Sequence, residues 1–135
     1  VKKLEKDLEK LKRIYQKIKW KHLVRTNTIK MKVIYNITIS IDYGASATWL
    51  DWMKRTHIPD VMNTGMFIEA KLSKIMAEES GGASYSIQYL CENMETYNNY
   101  VALHSQKLQK EHEAEFGGKF VAFRTILKVE EIFQK

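Results

Sequence analysis

The chain has 135 residues, 44% of them apolar and 28% charged, with a formal net charge of +6. That suffices for one domain with a real core and is too apolar for a disordered chain. No stretch supplies the roughly eighteen apolar residues of a membrane-spanning helix, no apolar signal-peptide core follows the basic N-terminus, and the single cysteine, Cys91, excludes an internal disulfide or a thiolate metal cluster; together these favour a reducing cytoplasm.

The charge is unevenly spread. Residues 1–32 hold twelve Lys or Arg against three acids, +9, and residues 33–135 hold ten bases against thirteen acids, −3, which sum to +6. An argument for nucleic acid from overall charge is therefore an argument about the leader alone. Within it, Leu4, Leu8, Leu11, Tyr15 and Ile18 recur at spacings of four and three, a heptad-like seam that predicts a helix from Lys2 to about Lys21. Glu9 and Arg13 form a favourable i,i+4 pair. Trp20, Leu23 and Val24 extend the apolar side, and RTNTIKMK should end the helix. Three readings compete for this segment: a peripheral helix docking on its own domain or on a second copy, a lysine-rich surface for nucleic acid or anionic lipid, and a translation extension preceding Met31. Acidic residues interrupt the basic face, which counts against nucleic acid.

Residues 1–31 are thus a basic helical extension, and the domain is expected to span residues 32–133. From Lys32 to Asp42 the sequence alternates with period two, Val33, Tyr35, Ile37, Ile39 and Ile41 against Ile34, Asn36, Thr38 and Ser40: a half-buried strand. A turn at YGAS leads into a helix capped by Ser46 or, from an earlier start, Asp42. This helix carries Trp49, Leu50, Trp52 and Met53, and Pro59 should force a restart or kink before one short extra turn. Met66 to Ala77 alternates again, Glu78 to Gly82 reads as a hairpin loop, and Ala83 to Cys91 is a third strand in which Cys91 is expected to be a buried, inert thiol. A second long helix runs from about Met94 to Phe116, with an apolar line through Tyr97, Val101, Leu103 or His104, Leu108 and Phe116, and Gly117-Gly118 ends it. Lys119 to Glu131 is the last strand. The order βαββαβ is the ferredoxin-like α+β arrangement: a four-stranded antiparallel sheet, spatial order 4-1-3-2, with both helices on one face.

The other face then needs an account. Asn36, Thr38 and Ser40, Glu69, Lys71 and Ser73, Ser84, Ser86 and Gln88, and Arg124 are its polar candidates, with Ile34, Phe67, Leu90, Ala122 and Ile126 interspersed. A one-residue change of strand parity would exchange Arg124 for Thr125. The face either meets water or packs against a second copy, enclosing a partly polar cavity in which Asn36, Thr38, Glu69, Lys71, Ser84, Ser86, Gln88 and Arg124 would bind a small polar ligand. For chemistry, His57 beside Asp60 is the most reactive-looking local pair, a candidate general base with its carboxylate, and Arg124 the third candidate; a helix-end capping role for His57 is the blander reading. His22, His57, His104 and His112 form no metal-ligand spacing, so no metal is expected, and the Gly-Gly pairs lack phosphate-loop context. No cofactor is expected.

IYNITISID at 34–42, WLDWMKRTHIPDVMNTGMF at 49–67, GGASYSIQY at 81–89 and FGGKFVAFRTIL at 116–127 resemble a small family of bacterial proteins, mainly from Bacteroidetes, known as domain-of-unknown-function family 4286, over residues 33–131. The resemblance implies a compact ferredoxin-like domain beginning at the first strand, and it carries no established activity. The residues favour a dimeric, non-enzymatic module binding a small ligand or a protein. The alternatives are a cofactor-free enzyme of the dimeric α+β barrel type, a small oxygenase or isomerase, and nucleic-acid binding through the N-terminal helix.

Overall fold

The computed structural model describes residues 1–77 and 81–135, and for 20–30 the backbone alone. The chain divides into two compact units, residues 1–30 and 31–135. The first is a single helix, α1 (Lys2–Lys30). It continues past the predicted end because Thr and Asn disfavour a helix by only roughly 0.5 kcal/mol each relative to Ala, and RTNTIK contains neither Gly nor Pro. The seam residues Leu4, Leu8, Leu11, Tyr15 and Ile18 are exposed. Glu9 pairs with Lys12 at 3.6 Å, one turn away, in place of the predicted Arg13. The side chains of Trp20, His22, Leu23 and Val24 lie outside the described residues, as does the first part, 78–80, of the predicted hairpin loop.

The second unit runs β1 (Val33–Asp42), α2 (Tyr43–Trp52), a π-helical turn (Met53–His57), α3 (Ile58–Asn63), β2 (Glu69–Lys74), β3 (Gly82–Cys91), α4 (Met94–Tyr100), a second π-helical turn (Val101–Ser105), α5 (Gln106–Phe116) and β4 (Phe120–Lys128). The four strands form one antiparallel sheet in the order β2-β3-β1-β4, the predicted 4-1-3-2 read from the opposite edge, and the fold is ferredoxin-like. One face of the sheet carries Val33, Tyr35, Ile39 and Ile41 of β1 and Ala83, Tyr85, Ile87, Tyr89 and Cys91 of β3, all buried with Trp49, Met53, Val61, Tyr100, Leu108 and Phe116 of the helices. Cys91 is the buried thiol expected; its Sγ donates at 3.4 Å to the Met66 carbonyl.

Three local differences from the sequence reading have physical causes. The first helix starts at Tyr43, directly after Asp42, whose side chain makes no capping bond; Ser46 instead donates its hydroxyl to the Tyr43 carbonyl at 3.0 Å. Pro59 produces no break in the backbone path. The Ile58 N–H bonds back five residues to the Met53 carbonyl, and this wider turn changes the hydrogen-bond register just before the proline, which has no N–H to offer. In the second long helix the π-turn adds a residue to one turn. The buried line therefore runs Tyr100, Ser105, Leu108, His112, Phe116, while Val101 and Leu103, placed inside by a plain 3.6-residue count, are exposed.

β2 is shorter than predicted. Alternation holds from Glu69 to Lys74 but fails before it: Phe67 turns under the helices to pack on Tyr35, Tyr89 and Tyr100, leaving the open face where the period-two count had placed it. At the other end of the domain Gly117 brings the chain so close to α5 that a Cβ there would lie 2.6 Å from the Glu113 carbonyl oxygen, and Gly118 then adopts φ +80°. Only glycine fits this pair of demands without strain, and the tight exit lays the start of β4 along the C-terminal turns of α5.

Candidate functional site

Arg124 sets the geometry. In the β1–β4 register Ile37 opposes Arg124, and Ile39 opposes Ala122. Directly opposed residues point to the same side of a sheet, so Arg124, Ala122 and Ile126 belong to the helix-covered side with Ile37, Ile39 and Tyr35. The open face receives Val121, Phe123, Thr125 and Leu127 instead. This corrects the placement of Arg124 beside Glu69 and Lys71, and of Ala122 and Ile126 on the open face. β4 mixes polar and apolar residues on both parities, so its alternation alone did not decide which side was which.

On the covered side the Arg124 Nε–H donates to the Tyr35 hydroxyl at 3.0 Å. Tyr35 stands in a cluster of rings, with centroids 5.9 Å from Tyr89 and 5.9 Å from Tyr100. Two histidines complete the interior. His112, on the buried stripe of α5, accepts a hydrogen bond at Nε2 from the indole N–H of Trp49 at 2.9 Å and meets the Phe120 ring edge-on at 4.2 Å. His57, in the first π-turn, stacks on Trp52 at 4.9 Å and lies 5.5 Å from the His112 ring centre. Burial pushes His57 down to about 4, and burial, helped by the neighbouring His57 and Arg124 charges, pushes His112 down to about 4. Both rings are therefore neutral at pH 7. Burial raises the Tyr35 hydroxyl while the Arg124 guanidinium opposes the rise, and Tyr89 and Tyr100 are raised further, so all three phenols stay protonated.

These groups surround an interior cavity of about 30 Å³ between the helices and the sheet, room for one water molecule. Its walls include Tyr35, His57, Tyr89, Tyr100, His112 and Arg124. Among the described residues, His57 Nδ1 and the Tyr89 hydroxyl are buried without a hydrogen-bond partner. Unpaired polar atoms cost about 1–3 kcal/mol each, and they cluster where a ligand or water can satisfy them. An open groove of about 470 Å³ runs along α5 and β4, and it shares Gln109, His112, Phe120, Ala122 and Arg124 with the cavity. Those shared residues form the junction between the protein surface and the interior.

The remaining sequence candidates lie elsewhere. Asp60 is exposed and faces a different surface groove with His104, Lys107 and Glu111, whereas His57 lies beside His112; nor does the His57 side chain cap a helix. On the open face, the Ser86 hydroxyl donates to Asn36 Oδ1 at 2.7 Å and the Asn36 amide donates to Thr38 Oγ1 at 3.3 Å. Gln88 lies beside Asn36 and Ser84 beside Ser40 in the β1–β3 register. Glu69 and Lys71 stand exposed on edge strand β2. Sequence reasoning missed His112, Trp49 and Tyr35 as a set. Their signal was present: Trp49, Met53, His57 and Val61 recur every four residues, and Leu108, His112 and Phe116 do the same, so both histidines occupy apolar stripes. Among the described residues, no group of three or more His, Cys, Asp or Glu side chains converges as a metal site would require, and no helix is long and apolar enough to cross a membrane.

Fold and site together define a ferredoxin-like α+β domain with a polar cluster buried beneath its helices. The chain belongs to the DUF4286 family, a domain of unknown function, which matches residues 32–130. No curated protein matches the sequence. Several solved structures share the fold. A dimeric ferredoxin-like protein from an uncultured marine organism is 8% identical, with 76% of this chain and 99% of that one covered and a TM-score of 0.63. SnoaB, a cofactor-independent oxygenase from Streptomyces nogalater, is 12% identical, with 78% and 99% covered and a TM-score of 0.58. A monooxygenase from the gene ActVA-Orf6 of Streptomyces coelicolor, in complex with Nanaomycin D, is 10% identical, with 81% and 96% covered and a TM-score of 0.54. At these identities the likeness is one of fold.

Proposed function

We propose that this protein is a homodimeric small-molecule-binding protein of a bacterial cytoplasm, and that each protomer holds its ligand beneath the helices, at the junction of groove and cavity. The observation that carries the reading is the convergence of His57, His112, Tyr89 and the Tyr35–Arg124 pair on one interior space, with two of their polar atoms unpaired among the described residues. The homodimer is supported by the exposed apolar row Val121, Phe123 and Leu127 beside the Asn36–Ser86 network on the open face, and by the marine ferredoxin-like structure of the same fold, which is dimeric. In that arrangement Asn36, Thr38, Ser84, Ser86 and Gln88 serve the contact between copies.

Binding is favoured over catalysis because imidazoles pushed down to about 4 are weak bases at neutral pH. The enzyme reading draws on the same cavity and on the oxygenases that share the fold. Ligand-observed NMR with a fragment set tests the proposal on the full chain, comparing the wild type with His57→Phe and with Ala122→Leu, which narrows the junction. Fragments that bind the wild type and lose binding in both folded variants are the expected result. Fragments that bind all three equally would contradict it. Chemical conversion of a bound fragment would move the assignment from carrier or sensor to enzyme.

A further inference from the structure

The donors and acceptors at the junction also specify the charge of the ligand; this inference rests on the binding reading above. His112 Nε2 accepts the Trp49 indole proton at 2.9 Å, so the neutral ring carries its own proton on Nδ1 and offers that N–H as its remaining polar group. Arg124 uses Nε on Tyr35 and keeps its terminal amino groups for another partner. Gln109 brings an amide to the same place, where it also meets the Tyr35 hydroxyl. The Tyr89 hydroxyl, unpaired, adds an O–H deeper in. Against these donors, the described residues of the cavity walls include no Asp or Glu, and among them Arg124 is the one permanent charge. The outer groove adds Lys110 and Glu113, which offset each other. Phe120 and Ala122 supply the apolar floor between the two spaces.

We propose that the junction binds a small organic carboxylate, its oxygens on the Arg124 guanidinium and the His112 Nδ1–H, and its apolar body in the groove over Phe120 and Ala122. Arg124 is suited to the role because the Tyr35 hydrogen bond pins one edge of the guanidinium, so less freedom is lost when the free edge meets a planar carboxylate. A neutral His112 is required too: its single N–H is directed by Trp49, which makes Trp49 a positioning residue.

Three isosteric probes separate charge from shape: benzoate, benzamide and benzamidine. The experiment titrates each into the full-length protein at pH 7.5 and follows the Trp49 indole N–H and Arg124 Nε–H signals by NMR. Benzoate is expected to move both signals and to bind about tenfold or more tightly than benzamide, with benzamidine weakest. Arg124→Met should remove that tenfold preference, Arg124→Lys should retain part of it, and a cooperative melting transition in both would show that the fold is intact. Equal binding of benzoate and benzamide at the junction, preference for benzamidine, or benzoate binding indifferent to Arg124→Met would overturn the carboxylate assignment while leaving small-molecule binding in place. If none of the three probes moves a junction signal, the carboxylate assignment falls; the fragment comparison with His57→Phe and Ala122→Leu then decides separately whether the binding reading falls with it.

Discussion

The two faces of the sheet are built from the same strands and both carry polar groups, yet those groups are in opposite states. On the open face Asn36, Thr38 and Ser86 satisfy one another in a short hydrogen-bonded chain, with Glu69 and Lys71 out in solvent. On the covered face His57 and Tyr89 are buried with unpaired polar atoms, and Arg124 reaches in to Tyr35. A satisfied polar surface is suited to water or to a second sheet. An unsatisfied interior one stores a demand that a ligand or a water molecule must meet. That contrast is why the proposed site is placed under the helices, although the open face has more hydroxyls and amides.

The comparison breaks first at Trp49. Its side chain is fully buried and its N–H is the partner of His112, so Trp49→Ala should cost about 3–5 kcal/mol and collapse the covered site; urea unfolding measures it. Acid sharpens the contrast next. His57 and His112 sit at about 4 in the folded state against 6.5 in a free side chain. The unfolded chain therefore binds protons that the folded one refuses between those values. Their stabilising contribution is complete above pH 6.5, falls as the pH drops from 6.5 to about 4, and changes no further below that. With allowance for solvent relaxation the loss is on the order of 2 kcal/mol per histidine. His57→Phe should roughly halve that pH dependence in chemical denaturation, and an unaltered slope would show that the rings are not the buried neutral pair described here.

Smaller effects follow. Tyr35→Phe removes the Arg124 partner from inside the cluster and should cost about 1 kcal/mol, with a larger loss in carboxylate binding than in stability. On the open face, Phe123→Asp introduces a charge into the apolar row, where Phe123 is 63% exposed. It should convert the proposed dimer to monomer by light scattering with little change in the protomer's own unfolding. Smallest of all, Asp51→Ala breaks the 2.6 Å ion pair to Arg55 on exposed side chains and should produce no measurable change in stability.

Much of this contrast was legible in the sequence, and the part that was not has identifiable reasons. The alternation of β1 and β3 is clean because one parity is almost wholly β-branched or aromatic, so strand identity, sheet order and the burial of Tyr85, Ile87 and Tyr89 could be read directly. β4 offers no such asymmetry: Phe120, Ala122 and Ile126 on one parity balance Val121, Phe123 and Leu127 on the other, and only the pairing with β1 assigns Arg124. The π-turns leave no local signature either, since a single extra residue changes the phase of a helix without changing its composition. Through that phase shift Val101 moves out and Ser105 moves in. The His57–His112 contact joins residues 55 positions apart, and the Trp49 bond to His112 joins residues 63 apart. No spacing rule reaches so far, and a histidine on an apolar stripe is ordinarily read as filler.

The most direct test of the account is a chemical-shift map with any fragment that binds the full chain. The account predicts that the shifted signals gather at the Trp49 indole N–H, Gln109, Phe120 and Arg124, around the junction of groove and cavity. Shifts gathered at Asn36, Thr38, Ser86 and Gln88, with the Trp49 indole unmoved, would place the ligand on the open face and contradict it.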